Sequence, residues 1–160
     1  MIDRASHLRS TGAERAGASG RPVLLATLGV PLDAEAASFA FDAAVESGSS
    51  FIVANVTTLE PLRMSVTLGY DALAELTPDV SSSIGRSVEL AVSLGIPVER
   101  LRVRSPRPVT ALLELAAERR PGLLVFGADR RALGSRRYAR VVRALRAQAR
   151  CLLWTAEIGE

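Results

Sequence analysis

Residues 123–151 read LLVFGADRRALGSRRYARVVRALRAQARC. The opening LLVFG (123–127) is a continuous apolar run, too short for a helix and closed by a glycine, which suits a strand buried on both faces. Further on, Tyr138, Val141, Val142, Leu145 and Ala149 recur at i, i+3, i+4, i+7 and i+11. That is the buried stripe of an amphipathic helix, RYARVVRALRAQAR (137–150). Arg136, Arg140, Arg143, Arg146 and Arg150 step around its other face. A second apolar run, CLLWTA (151–156), follows at once. Strand, helix and strand in succession, with both strands continuously apolar, predict parallel pairing through a helical crossover.

Working outward, the same unit repeats. VLLATL (23–28) lies between Pro22 and Gly29 and predicts the first strand. Asp33 is placed to cap AEAASFAFDAAVES, a helix stopped by Gly48, with Phe39 and Ala43 expected to face the sheet. FIVANV (51–56) predicts the second strand, and the long connection 57–79 reads as partly helical. In DVSSSIGRSVELAVSLG (79–95), Ile84, Val88 and Ala91/Val92 fall at helical steps. VERLRVRS (98–105) alternates Leu101 and Val103 with arginines, as a half-exposed edge strand does. VTALLELAAERR (109–120) is a compact helix behind two prolines. The order β-α-β-α-β-α-β-α-β predicts a three-layer α/β/α sandwich on a parallel sheet. One domain is expected over residues 21–160, behind a disordered tail over 1–20.

Composition narrows the chemistry. All twenty basic residues are arginine, so their number reflects codon bias as much as function; their placement says more. Residues 119–150 hold ten arginines and one acid, Asp129, a local balance of +9, against −6 for the rest. Such asymmetry suits an anionic ligand or partner, or a solvated helix face. His7 is the sole histidine and Cys151 the sole cysteine, which argues against a histidine-based triad, a zinc site and any disulfide within the chain. Neither a span of the roughly 18–20 apolar residues that cross a bilayer nor a secretory leader is visible, and the expected location is the cytoplasm. There is no helix-turn-helix, no RNP-like strand and no aromatic interleaving, so nucleic acid is not the expected partner; binding to it without regard to sequence is a further reading, marked by an affinity that falls steeply with salt. Cys151 reads as a small apolar residue entering the last strand, with Arg150 beside it as the one reason to consider a reactive thiol. Trp154 reads as core or interface packing. Glu114 and Glu118 are expected to pair with nearby arginines such as Arg119 and Arg120, not to form an acid–base pair.

Taken in order, PVLLATLG, VTALLELAAERRPGLLVFG, the arginine-rich loop and ARCLLW resemble the universal stress protein family over about residues 21–156. The resemblance implies a Rossmann-like fold akin to the adenine nucleotide alpha hydrolases. Its five-stranded parallel sheet has the order 3-2-1-4-5, and pairing into a homodimer runs through the last strand, here Leu152, Leu153 and Trp154. It also implies an adenine nucleotide at the carboxyl ends of strands one and four, where strand order reverses. Carried over by position, that site comprises Ala26, Thr27, Leu28, Val56, Phe126, Gly127, Arg130, Ala139, Arg140 and Val141.

This sequence departs from the family pattern at three of them. Leu28 stands where an acid normally contacts the adenosine. The Gly-x-x-Gly start of the phosphate loop reads Gly127-Ala128-Asp129-Arg130, and Ala139-Arg140 is the expected counterpart of the Gly-Ser/Thr pair that opens the last helix. Glycines there let backbone N–H groups approach phosphate, and an arginine side chain blocks that approach. The expectation is a non-enzymatic, dimeric stress-response protein with a degenerate nucleotide site, requiring no cofactor and acting through a small anionic ligand or a protein partner. The alternative is ATP or another adenine nucleotide held by arginines that replace the backbone donors, with weak hydrolysis or switching.

Overall fold

A computed structural model describes residues 20–59 and 78–156. Five strands, β1 (Val23–Thr27), β2 (Phe51–Thr58), β3 (Val98–Ser105), β4 (Leu123–Phe126) and β5 (Leu152–Thr155), form one sheet in the order β3-β2-β1-β4-β5. Every neighbouring pair is parallel, as the expected topology requires. The helices are α1 (Ala34–Ser47), α2 (Pro78–Ser93), α3 (Pro108–Arg119), a single turn α4 (Arg130–Leu133) and α5 (Ser135–Gln148).

Strand alternation divides the core in two. Leu24 and Ala26 of β1 point into a cluster with Leu112 and Leu115 of α3 and Tyr138, Val141 and Leu145 of α5. Val23 and Leu25 point the other way, onto Ala36, Ala40 and Ala44 of α1 and Ile84 of α2. At the expected N-cap, the Asp33 carboxylate accepts from the Ala36 N–H at 2.9 Å, and Gly48 ends α1 in the left-handed conformation.

Three expectations change. The sheet-facing stripe of α1 is Ala36, Ala40 and Ala44; Phe39 is 38% exposed and stacks on Trp154 with centroids 4.7 Å apart. Alanine methyls let the helix lie close on the sheet, and the larger ring is displaced to the β5 edge, where Trp154 offers a flat partner. On α2, Ile84 and Ala91 are buried but Val92 is exposed. The last helix begins at Ser135, not at 137, and a separate turn, α4, precedes it. Residues 60–77, in the expected partly helical connection, and the expected tail, apart from Gly20, lie outside the described residues.

Candidate functional site

The carboxyl ends of β1 and β4 lie side by side, with Ala26 opposite Phe126 in the register. Two loops leave this point, 28–33 toward α1 and 127–129 toward α4, and each folds onto the other. The Asp33 N–H donates to the Gly127 carbonyl at 2.8 Å, the Asp129 N–H donates to the Pro31 carbonyl at 2.9 Å, and Leu32 and Ala128 form an antiparallel bridge. Leu28, Leu32, Ala128 and Leu133 are all buried in this seam. The switch point of the sheet is thereby covered by the chain's own backbone and apolar side chains.

Local contacts hold the first loop in place. Thr27 Oγ1 donates to the Val30 carbonyl at 2.7 Å and closes a tight turn. The turn continues through Gly29 at φ +72°, a left-handed position that suits glycine. The Gly29 N–H donates to Asn55 Oδ1 of β2 at 2.8 Å, and the Leu32 N–H to Ser83 Oγ of α2 at 3.1 Å.

Of the expected site residues, Ala26, Thr27, Leu28, Val56 and Phe126 are buried. Gly127 is buried too, and packing accounts for its identity. A Cβ there would stand 2.6 Å from Leu25 Cδ1, 3.2 Å from Leu32 Cδ2 and 3.5 Å from Ala36 Cβ. Arg130 opens α4 and is half-buried. Ala139, Arg140 and Val141 lie in the second turn of α5 and do not open it; Val141 is buried against the sheet, while Arg140 points to solvent. A Gly-Ser pair does open the helix, at Gly134-Ser135, with Gly134 at φ +94°. The helix thus starts about one turn earlier than the match of that pair to Ala139-Arg140 implies.

The anion-attracting helix ends differ in what they carry. Asp33 caps α1, and Asp129 accepts from the Arg131 N–H of α4 at 2.9 Å, so both ends already hold a carboxylate. The N-terminus of α5 has no side-chain cap. Beneath the seam, Tyr138 packs its ring on Phe126 at 5.4 Å between centroids, and its buried hydroxyl has no hydrogen-bond partner. Burial pushes the phenol up from its usual pKa; the backbone of Ala156, near the hydroxyl but outside hydrogen-bond geometry, opposes that more weakly. Asn55 Nδ2 is a second buried donor without a partner. Its signal in the sequence was the lone polar residue inside FIVANV.

Away from the seam, Cys151 is half-buried and burial raises its thiol pKa, which is the inert state of the two considered. Arg119 bridges to Glu99 of β3 at 2.8 Å and approaches Glu118 at 3.9 Å. No group of metal-ligating side chains occurs among the described residues. Within the same residues no helix is long and apolar enough to cross a membrane.

A family model, that of the Universal stress protein family, matches residues 20–155. A universal stress family protein from Burkholderia pseudomallei superposes with a TM-score of 0.59 at 15% identity, over 85% of this chain and 96% of that one. The universal stress protein from Archaeoglobus fulgidus in complex with dAMP gives 0.54 at 16%, over 87% and 99%. An Arabidopsis thaliana family protein with AMP bound gives 0.52 at 17%, over 86% and 93%. Among curated proteins none matches the chain by sequence.

Proposed function

The chain belongs to the universal stress protein family, and on that premise we propose that it is a non-enzymatic, dimeric stress-response protein of the cytoplasm, with a degenerate nucleotide site, that acts by binding a ligand or partner. One observation carries this reading: the seam in which loop 28–33 is hydrogen-bonded to loop 127–129 over the sheet's switch point. A nucleotide seated there would have to break those bonds and expose Leu28 and Leu32. Asp33 and Asp129 add to the case, since a triphosphate approaching α1 or α4 would meet a carboxylate at each N-terminus. Titration calorimetry with ATP, ADP, AMP and cAMP, with and without magnesium, tests it. The expected result is no heat of binding for ATP at low micromolar sensitivity; tight binding of magnesium-ATP overturns the reading.

The dimer is proposed through β5. That strand pairs with β4 on one side only, and Leu152 is 74% exposed. An open edge with an exposed apolar side chain favours strand pairing between copies. Sedimentation equilibrium should give a dimer, and Leu152→Arg a monomer.

A second reading has its own support. The uncapped N-terminus of α5 leaves backbone donors available, Arg130 stands just before it, and structural relatives are complexes with AMP and dAMP. Here the arginines supply the phosphate contacts of an adenine nucleotide. Nucleotide at a hundred times its Kd should then stabilise the fold by about 2.7 kcal/mol, an effect that Arg130→Ala and Arg140→Ala abolish. No melting shift in the unaltered protein refutes this alternative.

A further inference from the structure

We propose that the outer face of α5 is a docking surface for the phosphate backbone of nucleic acid, bound without regard to sequence. Arg136, Arg137, Arg140, Arg143 and Arg146 are all exposed, and Arg150 follows just beyond the helix end. Among the described residues none of the six makes an ion pair; the two salt bridges there both belong to Arg119. The nearby acids do not pair with them among the described residues. Asp129 accepts from the Arg131 N–H, while Glu114 and Glu118 lie on α3, with Glu118 turned toward Arg119.

An unpaired row of guanidinium groups on a surface that is elsewhere net acidic needs a reason beyond codon bias, which would spread arginine evenly. The partner's chemistry follows from what surrounds the row. The apolar stripe of α5, Tyr138, Val141, Val142 and Leu145, is buried in the core and unavailable to insert into a bilayer. The exposed remainder of the helix is Ser135, Ala147 and Gln148, with Ala139 and Ala144 half-buried. It offers no large apolar anchor of the kind that centres a protein–protein interface. Nucleic-acid interfaces, by contrast, are polar and strongly positive. From Arg136 to Arg146 the helix rises about 15 Å, the length of four or five successive phosphates on one duplex strand. Without aromatic side chains in the row, bases are not read. Arg140 also belongs to the second reading of the nucleotide site, but Arg143 and Arg146 have no part in either reading, so variants of those two test this surface alone.

The experiment is fluorescence anisotropy of the full chain with two 30-base-pair duplexes of unrelated sequence, between 50 and 200 mM salt. Four phosphate contacts give a log–log slope of about −3.6, a loss of roughly a hundredfold over that range, equal for both sequences. The double variant R143Q/R146Q should halve the slope to about −1.8 with an unchanged far-ultraviolet spectrum, whereas R100Q/R102Q on β3 should leave it alone. R143Q by itself should lower the slope by about 0.9, which keeps the test open if the double variant folds poorly. The proposal is overturned by absence of binding at 50 mM salt, by an unaltered slope in the α5 variants, or by binding confined to phosphatidylserine vesicles or to an acidic peptide.

Discussion

Gly127→Ala separates two reasons for a glycine at the end of β4. If it is there to let phosphate approach the backbone, alanine should weaken ligand binding and leave stability nearly intact. If it is there for packing, alanine should cost stability whether or not a ligand exists. The geometry favours packing: the new methyl would stand 2.6 Å from Leu25 Cδ1, a fully buried side chain, and 3.2 Å from Leu32 Cδ2. Forcing a methyl into a filled core costs about 1–3 kcal/mol. For a domain of this size that is roughly 2–12 °C in melting temperature. Leu25→Val removes the clashing carbon and costs about 1 kcal/mol alone through its lost methylene. In the double variant L25V/G127A the alanine methyl occupies the space that the valine vacates. The two effects should therefore fall short of their sum by about 1 kcal/mol or more, against the few tenths expected of independent sites. Thermal melts of the four proteins, with and without ATP, supply every quantity. Additive losses, or a Gly127→Ala cost below about 0.5 kcal/mol, refute the packing account.

Other outcomes follow from single groups. Asp33→Ala should cost about 0.5–2 kcal/mol by uncapping α1, and Asp33→Asn should restore most of it in the same melts, since asparagine caps as well as aspartate. Tyr138→Phe should leave stability unchanged or raise it, because the hydroxyl is buried without a partner; a loss above about 1.5 kcal/mol would mean a strong hydrogen bond there. The phenol of Tyr138 has its pKa raised in the fold, so the unfolded chain deprotonates first as pH passes 10. Its contribution to stability is thus present below pH 10 and is lost above it, and that alkaline loss should shrink in Tyr138→Phe. Cys151 should react with a disulfide reagent at pH 8 more slowly than a free thiol, given the upward push of burial; a fast burst would contradict the inert assignment.

The strands were legible in the sequence because a strand covered on both faces must be apolar throughout, and VLLATL, FIVANV and LLVFG satisfy that without relying on period. Helix faces were harder. In α1 the i, i+4, i+8 spacing of Ala36, Ala40 and Ala44 was visible, but the bulkier Phe39 suggested a different face, and its partner Trp154 lies at the far end of the chain. The start of the last helix was misplaced for a related reason. Matching the family's Gly-Ser/Thr pair to Ala139-Arg140 put the opening of the helix too late, whereas a left-handed glycine at 134 ends α4 and begins α5 earlier. The seam itself had no local signature. Its bonds join Asp33 to Gly127 and Asp129 to Pro31, backbone groups about a hundred residues apart, which no composition or period encodes.

On the proposed reading, that seam also accounts for how the fold can stand with no ligand at the switch point. At a sheet's switch point two loops diverge and leave backbone donors and acceptors that must be satisfied by something. A nucleotide is one solution. Here the carbonyls of Gly127 and Pro31 are met by the N–H groups of Asp33 and Asp129, and the first turns of α1 and α4 by the carboxylates of the same two residues. Each aspartate thus closes one loop with its backbone and caps one helix with its side chain. Leu28 and Leu32 are buried in the apolar gap between the loops. On this account the order of events in any ligand binding is fixed: a nucleotide must first separate the loops, so its association should be slow and its affinity low relative to a protein whose crevice is open. Stopped-flow association at two temperatures is the deciding measurement, and a near-diffusion-limited rate with a small activation enthalpy would show that the seam is no obstacle.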